Sequence, residues 1–150
     1  MASPIILMVE DERLIATLLT MVLQGAGYEV LHAESGAEAL RLGRSHQCKM
    51  DLLLCDVVLQ DGPGPDVALR IGQLNPNLRT VYISGYPLDV LAERGLLTPE
   101  MLRSENASYI QKPFRPKELL ELVDRIVPKQ SNIGTTGTPQ AGAMHARSAY

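Results

Sequence analysis

Four places in the sequence set chemically competent side chains directly behind short apolar runs. Glu10-Asp11-Glu12 follows Ile5 to Val9, Asp56 follows Leu52 to Cys55, Ser84-Gly85 follows Thr80 to Ile83, and Lys112-Pro113 comes just after Tyr109-Ile110. Each has an ordinary explanation by itself. The acids at 10 to 12 would suit the positive end of a helix, and Asp56 could cap a turn. Ser84 before a glycine could be a turn residue, and Lys112 a solvated surface lysine. Those explanations do not account for all four together. If the runs are neighbouring strands, the acids, the hydroxyl and the ammonium share one mouth, which is the pattern of a functional site.

The charges say what such a mouth could do. Carboxylates crowded within a few ångströms repel one another and stay ionised at neutral pH only beside a cation; hard oxygen ligands with positions left for water suit Mg2+. With Mg2+ on one side and the Lys112 ammonium on the other, Asp56 remains an anion able to attack phosphorus. Phosphoryl transfer asks mainly for positioning and for neutralisation of the equatorial oxygens, which Mg2+, Lys112 and the Ser84 hydroxyl would supply. An aspartyl phosphate is the expected product.

The elements that must hold these groups alternate regularly. Ile5 to Val9 reads as a strand, and Leu14, Ile15, Leu18, Leu19 and Val22 recur at helical spacing up to Gly25 or Gly27. Tyr28 to Ala33 is a second strand, and Ser35 can cap a helix carrying Ala37, Ala39, Leu40 and Leu42. Leu52 to Cys55 is the third strand; after a Gly/Pro loop, Pro65 opens a helix with Val67, Ala68 and Ile71. Thr80 to Ile83 is followed by a helix over Pro87 to Arg94. Tyr109-Ile110 marks a short fifth strand, and Pro116 begins an amphipathic helix with Leu119, Leu120, Val123, Ile126 and Val127 on one side. Five β/α units with apolar strands imply an α/β fold, a doubly wound parallel sheet covered by helices on both faces. Its functional residues should gather at the carboxyl ends of the strands.

Composition limits the alternatives. The chain has 150 residues, 45% of them hydrophobic, which suits one domain. A net charge of −3 with scattered Lys and Arg leaves no basic stripe for nucleic acid. No apolar run approaches a membrane span and no signal peptide is evident, so a cytoplasmic protein with no membrane contact is expected. Cys48 and Cys55 lack metal-type spacing and read as buried thiols. From residue 129 the periodicity stops, so the expected organisation is a domain over residues 1–128 and a flexible tail over 129–150.

The stretches ILMVEDE, LLLCDVVLQDGPG, VYISGYP and YIQKPF, in that order and within residues 4 to about 128, resemble the receiver domain of two-component response regulators, with wording similar to receivers attached to hybrid histidine kinases. The resemblance implies a flavodoxin-like (βα)5 sheet of strand order 2-1-3-4-5 and a phosphorylation switch. Asp56 would accept the phosphoryl group from a histidine kinase or histidine phosphotransfer protein. Asp11 would bind Mg2+ directly, Glu10 through water, and the Val58 backbone carbonyl would be a further ligand. Ser84 and Tyr109 stand at the switch positions, and Lys112-Pro113 would be a cis peptide. Downstream partners would dock on the face of the fourth helix, fifth strand and fifth helix.

Two departures from the family pattern stand out. Gln60 replaces the usual proline, which makes Gln60-Asp61-Gly62-Pro63 turn-rich, while Gly64 keeps the expected glycine. The segment between Ser84 and Lys112 is longer than typical; Gly95 can end one helix and Thr98-Pro99 start another, with Leu97 and Leu102 as a hydrophobic staple, so the fourth helix should be broken in two. The competing function is a Mg2+-dependent phosphohydrolase with a covalent intermediate on Asp56. It would want a second acid near the nucleophile, where Val58 offers none.

Overall fold

The computed structural model describes residues 3–46 and 49–127; Cys48 and the expected tail lie outside the described residues. The chain runs β1 (Ile5–Val9), α1 (Arg13–Gly25), β2 (Glu29–Ala33), α2 (Gly36–Ser45), β3 (Leu52–Asp56), β4 (Val58–Leu59), β5 (Gly62–Pro63), α3 (Gly64–Leu74), β6 (Arg79–Ser84), α4 (Leu88–Glu93), α5 (Pro99–Ser104), β7 (Ser108–Gln111) and α6 (Pro116–Ile126). The main sheet is wholly parallel in the order β2-β1-β3-β6-β7. With the small β4–β5 ribbon set aside, this is the expected order 2-1-3-4-5.

The period-two alternation of the strands divides the core. Leu7, Val9, Leu53, Cys55 and Tyr82 face one way, against Ala39, Ile71, Leu91 and Leu97. Ile6, Met8, Leu52, Leu54, Val81 and Ile83 face the other, against Leu19, Leu23, Leu119 and Val123. Both faces of β3 are therefore covered, and all five of its residues are buried, Asp56 included. That explains why an ionisable residue ends a continuous apolar run. β3 is the centre of a parallel sheet, and its last residue emerges where strand order reverses.

The fourth helix is broken, for the reasons legible in its sequence. Gly95 has φ +70° and ends α4. The Gly95 amide donates to the Ala92 carbonyl and the Leu96 amide to the Leu91 carbonyl, the paired bonds of a Schellman ending. Leu97 is then fully buried. The Thr98 hydroxyl accepts from the Met101 amide to cap α5, and Leu102 packs into the same cluster as Leu97. Asn106, at φ +53°, closes α5 in the same manner. The Tyr82 hydroxyl, from the middle of the sheet, donates to Glu105 at 2.6 Å and pins the end of α5.

The stretch after Asp56 differs from the expected plain loop. Leu59 pairs with Gly62 and Val58 with Pro63 in a two-residue antiparallel ribbon, β4–β5. Gly62, at φ +141°, makes its turn. Leu59 is buried in the core, which fastens the ribbon to the domain.

Because Leu97 plugs the core beneath the break, Leu97→Ala should cost about 2 to 5 kcal/mol. It should also speed amide exchange across residues 88–107 before the sheet is affected. Denaturant unfolding and exchange mass spectrometry measure the two effects.

Candidate functional site

The ends of β1, β3, β6 and β7 deliver their polar residues to one mouth. Glu10, next after β1, is 2% exposed; Asp56, the last residue of β3, is 8% exposed. One carboxylate oxygen from each of Glu10, Asp11 and Asp56 lies within 4.8 Å of the others. The Lys112 ammonium reaches Glu10 Oε1 at 3.2 Å and Asp56 Oδ2 at 3.3 Å. The Lys112–Pro113 peptide is cis, as the resemblance implied.

The backbone around these acids takes part. The Glu12 amide donates to Glu10 Oε2 at 3.1 Å, and the Val58 amide to Asp56 Oδ1 at 3.4 Å. The Gln60 amide donates to Asp11 Oδ2 at 2.9 Å, so Asp11 clasps the tip of the ribbon as well as facing the mouth. Glu12 is exposed and makes no side-chain cap for α1, so the acids at 10 and 11 are not explained as helix-end residues. Gly64 is required by close approach. A Cβ there would overlap the Asp56 carbonyl oxygen and come within 3.0 Å of Cys55 Sγ, while the Gly64 amide donates to the Val57 carbonyl.

Ser84 ends β6, buried, with its hydroxyl accepting from the Tyr86 amide at 3.1 Å. The Lys112 amide donates to the Ser84 carbonyl, which ties two of the mouth's residues together. Tyr109 is half-buried on β7, and its hydroxyl donates to the Tyr86 carbonyl. Ser84 and Tyr109 thus meet through both backbone groups of Tyr86, a connection the sequence did not reveal. Also unforeseen is Asp61, whose carboxylate accepts from the Gly36 amide at 3.0 Å and the Ala37 amide at 3.1 Å at the start of α2. Those two bonds hold its carboxyl below the usual range.

Burial raises the carboxyls of both Glu10 and Asp56 above their ordinary range, although backbone amides and Lys112 pull the other way. Burial alone would lower Lys112, but the adjacent Asp56 and Glu10 charges outweigh it and raise the ammonium. Among the described residues, three carboxylates against one ammonium leave the mouth net negative, with hard oxygen donors close enough to share one ion. Glu10, Asp11 and Asp56 therefore fit a divalent cation.

A five-stranded parallel sheet with an acidic, lysine-bearing mouth at its strand ends defines an α/β switch domain of the receiver class. The sequence matches the response regulator receiver domain over residues 6–124, and the chain belongs to that family. It is 29% identical over 85% of its length to the sensor kinase CckA of Brucella abortus, of which it spans only 13%. It is 28% identical over 81% of its length to the response regulator receiver protein CpdR of the same organism, of which it spans 95%. Among solved structures it is similar to the receiver domain from the hybrid histidine kinase CckA, with 28% identity and a TM-score of 0.67 over 81% of this chain and 96% of that one. A CheY-like receiver from Methanospirillum hungatei gives 27% identity and a TM-score of 0.69 over 82% and 92%. The protein is a phosphorylation-dependent signalling switch of the two-component type. Receivers interact with histidine kinases or phosphotransfer proteins. Among the described residues no helix is long and apolar enough to cross a membrane.

The raised carboxyls set a pH dependence. A proton binds Glu10 and Asp56 more tightly in the folded chain than in the unfolded one. Their contribution to stability is therefore complete below the unfolded carboxyl pKa and is lost as pH rises through the raised folded values. In the absence of divalent cations the protein should gain stability as pH falls toward the range just above ordinary carboxyls. Asp56→Asn should flatten that profile and, at neutral pH, add on the order of 1 kcal/mol, a few degrees in Tm. Mg2+ affinity should fall over the same pH range as protons compete for the ligands. Thermal melts with and without Mg2+ across pH check all three.

Proposed function

We propose that Asp56 is the phosphoacceptor and that Glu10, Asp11, Asp56 and the Val58 carbonyl hold Mg2+. The observation that carries this is the ionic contact of Lys112 with Asp56 at 3.3 Å inside the acidic cluster. An Asp56 oxygen attacks the phosphorus of a phosphohistidine, the P–N bond breaks, the imidazole leaves with the bonding electrons, and an acyl phosphate forms. Mg2+ supplies charge neutralisation for the phosphoryl oxygens. Lys112, already poised between two carboxylates, moves its charge toward the new dianion. Ser84 Oγ turns from the Tyr86 amide to a phosphoryl oxygen. That exchange loosens the loop to which Tyr109 is bonded, and it favours an inward Tyr109 together with movement of α4 and α5. The face of α4, α5, β7 and α6 then presents the signal to a downstream protein. The position two residues beyond Asp56 is Val58, which can neither activate nor direct a water, so the aspartyl phosphate is retained rather than turned over as in a phosphohydrolase. Stoichiometric labelling of one site per chain from a phosphohistidine donor, absent in Asp56→Asn, is expected. Label persisting in Asp56→Asn, or steady hydrolysis of small phosphoesters, would contradict it.

The same geometry supports a docking surface for the donor. Lys112, Pro113 and Phe114 line one side of an apolar groove of about 250 Å3, with Ile15, Leu18 and Val22 of α1 on the other. Beside it Leu14 is 87% exposed and Met21 66%. This apolar face borders the mouth through Lys112 itself, so an amphipathic helix laid on it would bring its histidine to Asp56. Leu18→Asp should slow transfer from a donor protein at least about tenfold, while labelling by a small-molecule phosphodonor such as acetyl phosphate stays at the parent rate. Equal slowing with both donors would place the defect in the mouth instead.

A further inference from the structure

The β4–β5 ribbon has too few backbone pairs to hold its own shape, since two-stranded ribbons are marginal even when longer. Beyond the long bond from the Val58 amide to Asp56, it is fixed from outside at three places. Leu59 is buried in the core, the Gln60 amide is bonded to Asp11, and Asp61 is bonded to the Gly36 and Ala37 amides. The third tie is not needed to start α2. Ser35 already caps that helix through the Glu38 amide at 3.1 Å, and Glu38 returns a bond to the Glu34 amide at 2.8 Å. Gly36 is shaped for the tie, because a Cβ there would stand 2.8 Å from Val67 Cγ2 and 3.3 Å from Asp61 Oδ1. The residue at 36 must be small for α2 to come down on Asp61.

We propose that Asp61 is a positioning residue for the cation site, anchoring the ribbon tip on the first amides of α2 and so fixing both the Val58 backbone and the Gln60 amide that orients Asp11. The inference rests on the cation reading above. Asp61 lies two residues from the Leu59 plug and one from Gln60, so a ribbon freed at Asp61 can turn about Leu59. Turning displaces the Val58 carbonyl and releases the Asp11 carboxylate from its fixed rotamer. The cost is borne by the cation, which needs the donors pre-arranged, as when groups supporting metal ligands are lost.

The test is a Mg2+ titration of the full chain followed by amide shifts of Val58 and Gln60, on folded protein at neutral pH. Asp61→Ala should weaken Mg2+ binding by about tenfold, at the mild end of losses for groups that support ligands, and broaden or move the Val58 and Gln60 amides before any Mg2+ is added. Asp61→Asn, which keeps an acceptor oxygen, should fall between. Gly36→Ala, which leaves Asp61 in place but holds α2 away from it, should weaken binding in the same direction. Ser35→Ala removes the ordinary cap, lowers stability, and should leave Mg2+ affinity at the parent value. Parent-like affinity in Asp61→Ala, or an equal loss in Ser35→Ala, would overturn the proposal and leave Asp61 as a helix cap. Asp11→Ala separates the two levels. If it too binds Mg2+ like the parent, the cation site itself is misassigned and the proposal falls with it.

Discussion

The structure turns on one electrostatic imbalance. Glu10 and Asp56 are buried beside each other with Asp11 close by, and among the described residues one ammonium, that of Lys112, pairs with them. Removing carboxylates from water disfavours their charged forms, and their mutual repulsion adds to the cost. A fold selected only for stability would place apolar residues there, because well-packed hydrophobic side chains commonly replace buried ion pairs at no loss. The domain carries the penalty at the carboxyl ends of its central strands, surrounded by two well-filled cores that can bear it. A divalent cation held there would relieve the imbalance, and on the proposed function a phosphoryl group on Asp56 would redistribute it.

Around that imbalance the mouth is held by contacts that can exchange partners. Lys112 is shared between two carboxylates, Ser84 Oγ is engaged by the Tyr86 amide, and Tyr109 is bonded to the Tyr86 carbonyl. On the proposed function each would exchange partners once a dianion occupied the mouth. The elements downstream are short and separately capped: α4 ends at Gly95 and α5 restarts at Thr98. The Tyr82–Glu105 bond ties the far end of α5 to the sheet, so on the proposed switch movement would be confined to the side nearest Ser84. Population shift in such a device is limited to the difference in phosphoryl contacts between the two states.

Much of this was legible in the sequence, and the rest was not for identifiable reasons. The strands announced themselves as continuous apolar runs because a parallel sheet buries both faces. The break in the fourth helix was readable because Gly95, Thr98 and Pro99 act locally on the backbone. The β4–β5 ribbon was hidden, since strands of two residues carry no periodicity. The tie between Asp61 and Gly36 joins residues remote in sequence and depends on how α2 approaches α3, which no local pattern encodes. The sequence placed Glu10 and Asp11 together, and the family resemblance gave them direct and water-mediated roles toward a cation, but neither disclosed their partners within the chain. In the folded chain Glu10 pairs with Lys112, while Asp11 holds the Gln60 amide.

On the proposed function, charge at Asp56 is communicated through Ser84, Tyr86 and Tyr109 to the broken helix. That coupling is tested most directly by amide NMR spectra of the full chain with Mg2+, before and after adding the phosphoryl mimic beryllofluoride. Shifts in the mouth should be accompanied by shifts at Tyr86, Tyr109 and through α4 and the near end of α5, all lost in Asp56→Asn. Changes confined to residues 10–12, 56–60 and 112, with the segment from 86 to 109 silent, would contradict it.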